Sequence, residues 1–168
     1  MLTKIEEAGH LYQLEKVKLH QIISNVIDDF QIKIKENNIN IALNIPDNIE
    51  FNGNPVLLYS VFRNLFENTV NYAGNNVYVS IDKYSEDSQS YYFSFSDNGP
   101  GVPEQDIPRL FERFYRVDKG RERKSGGTGL GLYIVKNAIL FHKGDISVKN
   151  RKEGGLEFLF SINRNLIS

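Results

Sequence analysis

Apolar side chains recur along this chain first at helical and then at strand spacing, in an order that predicts a mixed α/β domain. Residues 20–37 carry an apolar side chain at every third or fourth position, as an amphipathic helix does. Over residues 39–45 apolar and polar side chains alternate, which is the period of a half-buried strand. Shorter strands are predicted over residues 17–19 and 50–52.

The clearest helix signal lies between residues 54 and 73. Asn54 is a suitable N-cap and Pro55 suits the first helical position. The predicted buried face consists of Leu58, Val61, Phe62, Leu65, Phe66, Thr69 and Val70. Four polar side chains flank this face at spacings of three and four, namely Asn64, Asn68, Asn71 and Tyr72. Stacked on one helix edge they could line a pocket; a solvated helix edge is the alternative.

The remaining pattern predicts a sheet completed by a helix and a hairpin. Strands are predicted over residues 76–83 and 90–96, a helix over 128–141, and a final hairpin that turns at residues 153–155. Residues 117–126 are charged and lack periodicity, so we expect a mobile lid there. The fold class that follows is an α/β (α+β) two-layer sandwich, a mixed, mostly antiparallel sheet of about five strands backed by three helices.

Two glycine clusters mark a candidate site. The first is Asp97-Asn98-Gly99-Pro100-Gly101, at the end of a predicted strand. The second opens the last predicted helix and consists of Gly127, Thr128, Gly129, Leu130, Gly131 and Leu132. The Asp97 carboxylate can accept a hydrogen bond from the exocyclic amine of adenine, and Gly99 and Gly101 let the backbone approach the base. Backbone N–H groups at a helix N-terminus suit phosphate. Either cluster alone would also fit an ordinary turn.

In chain order, the Asn64-Leu65-x-x-Asn68 motif, the two glycine clusters and the Phe-Tyr-Arg triplet ending at Arg116 resemble the catalytic ATP-binding domain of sensor histidine kinases. The wider superfamily includes gyrase, heat-shock chaperone ATPases and mismatch-repair ATPases. The resemblance covers roughly residues 15–163 and implies the Bergerat ATP-binding fold. It also implies an enzyme that uses ATP and Mg²⁺ to phosphorylate a histidine on an adjoining dimerisation domain, from which the phosphate passes to a response regulator.

The resemblance assigns roles to individual residues. Asn68 would bind Mg²⁺, Arg116 would contact the γ-phosphate with Arg113 as a second candidate, and Tyr72 would pack near the ribose or adenine. Asn64 stands where the hydrolysing members of the superfamily carry a glutamate. Because an amide cannot act as a base at neutral pH, Asn64 favours phosphoryl transfer over rapid hydrolysis.

Two positions depart from the family pattern. Asn71 stands where the family usually has lysine or arginine, and Leu156 where it often has threonine. Without a cation at position 71, nucleotide affinity is lower or a cation of the lid takes its place. The lid offers Lys119, Arg121, Arg123 and Lys124, although a run of charges is also typical of solvated surface.

Residues 1–15 are predicted to be the end of the second helix of the dimerisation hairpin, and residues 16–168 the catalytic domain. The phosphate-accepting histidine of the family is followed by an acidic residue, and none of His10, His20 and His142 is. We therefore expect the acceptor in another part of a longer protein. That protein is expected to be a homodimer, while the oligomeric state of this chain alone stays open, a monomer included.

Composition narrows the function classes further. A net charge of −1 offers no basic surface, so no nucleic-acid partner is predicted. The absence of cysteine removes disulfides and thiolate metal sites. No apolar run approaches the ~18–20 residues of a membrane span, so we expect a cytoplasmic domain whose parent is either free or membrane-anchored. Two alternatives to the kinase remain: a non-catalytic nucleotide-binding or scaffolding module, which Asn71 favours, and a self-contained ATPase, which Asn64 disfavours.

Overall fold

Seven strands, four α-helices and one 3₁₀ helix make up the described part of the computed structural model, residues 13–117 and 129–167. The strands are β1 Glu15–Lys18, β2 Asn40–Asn44, β3 Glu50–Gly53, β4 Tyr78–Glu86, β5 Ser90–Asp97, β6 Ile146–Asn150 and β7 Leu156–Asn163. The helices are α1 Leu19–Asp29, α2 Gln31–Glu36, α3 Pro55–Tyr72 and α4 Gly131–Phe141, with the 3₁₀ helix at Glu104–Arg109.

The main sheet has five strands in the order β2-β4-β5-β7-β6. Strand β2 runs parallel to β4, and the other neighbouring pairs are antiparallel. Strands β1 and β3 form a separate two-stranded antiparallel sheet. The predicted mixed, mostly antiparallel sheet is therefore confirmed, whereas the pairing of the two short strands with each other was not predicted.

The core lies between this sheet and the long helices. Phe66 of α3 packs edge-on against Phe95 of β5 with ring centroids 5.1 Å apart, and Phe62 packs against Phe160 of β7 at 5.9 Å. All four rings are buried. Burying aromatic rings of this size contributes a large part of the hydrophobic stabilisation of a small domain. The helix layer is thus fixed to the centre of the sheet through α3.

Helix α3 follows the sequence prediction closely. The Asn54 side chain accepts a hydrogen bond from the Leu57 N–H at 2.9 Å, Pro55 occupies the first turn, and the helix ends at Tyr72. The predicted buried face is buried along its length except at Val70, which is partly exposed. The three asparagines flank this face: Asn64 is itself buried, whereas Asn68 and Asn71 are partly exposed.

Three local predictions need correction. The single helix predicted over 20–37 is divided at Phe30 into α1 and α2; the apolar stripe continues across the break, so periodicity does not reveal it. Helix α4 begins at Gly131, three residues later than predicted, because Gly129 has a positive φ of 76° that is incompatible with a helix. The 3₁₀ helix Glu104–Arg109 was not predicted. None of the helices in the described ranges is long and apolar enough to cross a membrane.

Candidate functional site

A cavity of about 530 Å³ opens between α3, the loop after β5, the segment before residue 117 and the start of α4. Nine of the predicted site residues line it: Asn64, Asn68, Tyr72, Gly101, Arg116, Gly129, Leu130, Gly131 and Leu132. Residues from four separate parts of the chain thus meet at one pocket. Asn71 and Leu156, the two departures noted in the sequence, line it as well.

One wall of the cavity is the polar edge of α3. The Asn64 amide donates to the Ser60 carbonyl at 2.8 Å and to the Ser60 hydroxyl at 3.1 Å. These bonds direct the Asn64 carbonyl oxygen toward α4. The Asn68 side chain is half-buried and makes no hydrogen bond to another described residue, so its amide oxygen can accept a ligand from the cavity.

The opposite wall is the N-terminus of α4. A Cβ at Gly131 would lie 3.1 Å from Asn64 Oδ1, so the start of α4 approaches α3 closely here. At Gly129 a Cβ would lie 2.8 Å from the Phe114 backbone, and the Gly129 carbonyl accepts a hydrogen bond from Phe114 N–H at 2.8 Å. A side chain at Gly129 would displace the Phe114 backbone, and one at Gly131 would require the Asn64 side chain to shift slightly. Phosphate favours such an end of a helix, where backbone N–H groups have no intrahelical partner.

Asp97 ends β5 and is only 4% exposed. Its Oδ1 accepts hydrogen bonds from the N–H groups of Gly99 at 2.9 Å and Leu156 at 3.4 Å. Burial raises the pKa of this carboxyl, while the two N–H donors and the nearby Arg151 guanidinium act in the opposite direction. Asp97 and Gly99 do not themselves line the cavity; they lie behind Gly101 and Leu156, which do.

The loop after Asp97 is held against the end of α3. A Cβ at Gly99 would lie 2.8 Å from the Ala73 Cβ, so the two chains are in contact at this point. Further on, Asn150 accepts a hydrogen bond from Val102 N–H at 2.9 Å and donates to the Val102 carbonyl at 2.7 Å. The loop is thereby fixed at both ends.

Local sequence patterns do not indicate several residues that shape this site. Asn150 is 48 residues away in sequence from Val102, with which it forms its hydrogen bonds. Arg151 donates to the Asp97 carbonyl at 2.8 Å. At Gly155, φ is 92° and a Cβ would overlap the Asp97 carbonyl group and lie 2.7 Å from Oδ1. Arg63 and Glu67 also line the cavity; their positions on the helix edge beside the asparagines could have indicated this.

Some predicted residues lie elsewhere. Arg113 is exposed, with its guanidinium 5.1 Å from the Phe114 ring and 5.8 Å from the Tyr133 ring, and it does not line the cavity. Gly127 and Thr128 lie outside the described residues, as do the lid cations Lys119, Arg121, Arg123 and Lys124. Their predicted contacts with a ligand remain predictions.

Residues 53–166 match the family of histidine kinase-, DNA gyrase B- and HSP90-like ATPases. The chain therefore belongs to this family, and the family's fold is the one described above. Membership in a family of ATPases makes this chain an ATP-binding domain.

The chain is also similar to parts of known sensor kinases. WalK of Bacillus subtilis is 34% identical over 166 residues, which cover 96% of this chain and 26% of WalK. SenX3 of Mycolicibacterium smegmatis is 33% identical over 161 residues, 96% of this chain and 42% of SenX3. For CpxA of Escherichia coli the identity is 33% over 146 residues, 86% of this chain and 31% of CpxA. The chain thus spans less than half the length of these relatives.

Solved structures of histidine kinases have the same fold as this chain over most of its length. The nucleotide-free catalytic domain of the histidine kinase ThkA is 25% identical and aligns with a TM-score of 0.78, covering 90% of this chain and 96% of that domain. The mycobacterial sensor histidine kinase MprB, at 22% identity, has the same fold with a TM-score of 0.76 over 92% of this chain and 99% of that one.

Proposed function

We propose that this chain is the catalytic domain of a sensor histidine kinase, which binds ATP with Mg²⁺ and transfers the γ-phosphate to a histidine on an adjoining dimerisation domain. The observation that carries the proposal is the single cavity in which the asparagine edge of α3 faces the glycine-rich start of α4. Residues 16–168 would form the catalytic domain together with Glu15, which the sequence assigned to the hairpin but which pairs with Gly53 in the sheet of β1 and β3. The preceding residues, of which 1–12 lie outside the described ranges, would be the end of the dimerisation hairpin. A response regulator would then receive the phosphate from the homodimeric parent protein.

The two ends of the cavity suit the two ends of a nucleotide. Asp97 lies toward the C-terminal end of α3, where its carboxylate would accept a hydrogen bond from the adenine amine, either directly or through a water. The start of α4 lies beside Asn64, eight residues earlier on α3 than Tyr72. This separation corresponds to about 12 Å of helix, so the base and the phosphates would lie along the same helix edge.

The donor set on α3 fits a magnesium ion. Mg²⁺ in phosphate sites keeps most of its waters and takes only one or two protein ligands, and the Asn68 amide oxygen would be one. Among the described residues no cluster of three or more histidine, aspartate or glutamate side chains could hold a metal without the nucleotide. Bound there with ATP, the ion would neutralise phosphate charge.

Asn64 and Arg116 would then determine the outcome of the reaction. Asn64 has no basic atom to activate a water, so bound ATP would persist until an acceptor histidine arrives. The Arg116 guanidinium, on the rim formed by residues 110–117, would stabilise the charge that develops on the transferred phosphoryl group. Tyr72 would pack against the nucleoside.

A non-catalytic nucleotide-binding module is the second candidate, and Asn71 is the observation that favours it. This side chain lines the cavity yet carries no charge, so one possible phosphate contact is weaker. A module of this kind would bind ATP without transferring phosphate.

Phosphate transfer separates the two candidates. The purified chain is incubated with γ-labelled ATP, Mg²⁺ and a separately purified dimerisation hairpin that carries the acceptor histidine. We expect acid-labile label on the hairpin, reduced at least tenfold by Asn68→Ala because the metal ligand is lost. Nucleotide binding without any label, while a control kinase labels the same hairpin, would favour the non-catalytic module.

A further inference from the structure

The described residues that line the cavity include three charged side chains, Arg63, Glu67 and Arg116. A nucleoside triphosphate brings several negative charges close together, and cations within hydrogen-bond reach stabilise them most. Arg116 already has a role in the proposed function. Arg63, on α3, has none, and it is the second described cation of the cavity wall.

The position of Arg63 is at the phosphate end of the cavity. It directly precedes Asn64, whose Oδ1 lies beside Gly131 at the start of α4. Helix α4 has 11 residues, and its first N–H groups point out of the helix toward this end. The other end, where Gly99 contacts Ala73, is ten residues further along α3, about 15 Å of helix away.

Arg63 is also available to a ligand. Its guanidinium is 3.9 Å from the Glu67 carboxylate, and its side chain is 53% exposed. An exposed i,i+4 pair at this distance is weak and gives up its partner at little cost. Asn71 lines the cavity without charge, so Arg63 is the only cation that α3 contributes to the described part of the cavity wall.

We propose that Arg63 contacts the terminal phosphate of the bound nucleoside triphosphate and makes the pocket prefer a triphosphate to a diphosphate. The inference rests on the proposed function and deepens it. A guanidinium can hold two phosphate oxygens at once through parallel N–H groups, which a single ammonium cannot. Arg63 would therefore set both the affinity for the terminal phosphate and its orientation.

The test compares dissociation constants for AMPPNP and ADP, each with Mg²⁺, by calorimetric titration of the whole chain. We expect Arg63→Gln to weaken AMPPNP binding about tenfold and ADP binding less than twofold. Arg63→Lys should recover part of the loss. Lys18→Gln is the matched control, since Lys18 is a 68% exposed cation paired with Glu50 at 3.8 Å and neither β1 nor β3 contributes a residue to the cavity lining; it should change neither constant.

The outcomes separate this inference from the function it rests on. If Arg63→Gln leaves the ratio of the AMPPNP and ADP constants unchanged while both nucleotides still bind, the terminal-phosphate role is wrong and the proposed function stands. If the unchanged protein binds neither nucleotide, the proposed function fails and this inference fails with it.

Discussion

His142 is fully buried, and both of its ring nitrogens are hydrogen-bonded. Nε2 accepts from the Asn54 N–H at 3.0 Å, and Nδ1 lies 2.8 Å from the Ala138 carbonyl, to which it donates. Only the neutral ring with its proton on Nδ1 satisfies both partners. The imidazole thus joins the C-terminal end of α4 to the first residue before α3, which positions the two helices that face each other across the cavity.

Acid should therefore destabilise the fold through His142. Burial lowers the pKa of this ring below 6.5, although the Ala138 carbonyl raises it slightly. The unfolded chain binds the proton near pH 6.5 and the folded chain does not, so the unfolded state gains protons as the pH falls. The His142 contribution to the free energy of unfolding should be complete above about pH 6.5. Below that pH the free energy of unfolding should decrease by up to about 1.4 kcal/mol per pH unit.

Urea denaturation at several pH values measures this dependence. His142→Phe should be less stable at pH 7.5 by about 1–3 kcal/mol, because Asn54 N–H loses its partner, and its stability should vary less with pH. His20→Gln, which changes a partly exposed histidine, is the comparison and should retain the decrease in stability that His142 causes below about pH 6.5. An equal pH dependence in His142→Phe would contradict this account.

Single positions differ in how far the sequence predicts them. Helical spacing was sufficient to place Asn64, Asn68 and Tyr72 on one edge of α3, because their relation is local. His142 and Asn150 could not be found in this way, since their partners are 88 and 48 residues distant. Their contacts exist only once the sheet and the helices have come together.

Among the elements, the hairpin of β6 and β7 does more than complete the sheet. Its turn brings Leu156 N–H and Gly155 onto Asp97 at the end of β5. Asp97 is therefore oriented by a strand that begins almost 60 residues later. The sequence predicted the hairpin and its turn, but the contact with Asp97 depends on β7 lying next to β5 in the sheet, which local patterns do not determine.

Two glycines allow this contact to be tested with a matched pair. Gly155 has a φ of 92° and its Cβ position is occupied by Asp97, whereas Gly74 has a φ of 87° with nothing within 4 Å. Gly74→Ala should cost about 1–2 kcal/mol from the backbone alone. Gly155→Ala should cost at least about 2 kcal/mol more, because Asp97 must also move. Urea denaturation measures both, and equal costs would show that Gly155 does not hold Asp97 in place.

Other elements show where sequence patterns stop being informative. The long helix α3 was predicted almost to the residue because a cap, a proline and a clear apolar face agree. The division at Phe30 was missed because its side chain continues the apolar stripe. The 3₁₀ helix Glu104–Arg109 was missed since it contains Pro108 and has no apolar period.

The complete domain combines two regions with different properties. A buried core rich in aromatic side chains lies between the sheet and the helices and stabilises the fold, and a cavity lined by polar and apolar side chains lies between α3 and α4. The buried carboxylate Asp97 lies at the boundary between them. Because burial raises its pKa, keeping Asp97 ionised at neutral pH costs stability, and this cost disappears at low pH, when the carboxyl is protonated in the folded protein. A group that opposes folding in this way is better explained by ligand binding than by structure.

The most direct test is a titration with a non-hydrolysable ATP analogue, with and without Mg²⁺, of the unchanged protein and of Asp97→Asn. The variant keeps the shape of the side chain and an oxygen for the Gly99 and Leu156 N–H groups but removes the charge. We expect the unchanged protein to bind in the micromolar to millimolar range, more tightly with Mg²⁺. Asp97→Asn should lose at least about tenfold in affinity without any decrease in its free energy of unfolding at pH 7. Equal binding by the two proteins, or no binding by the unchanged protein at millimolar analogue, would contradict the account.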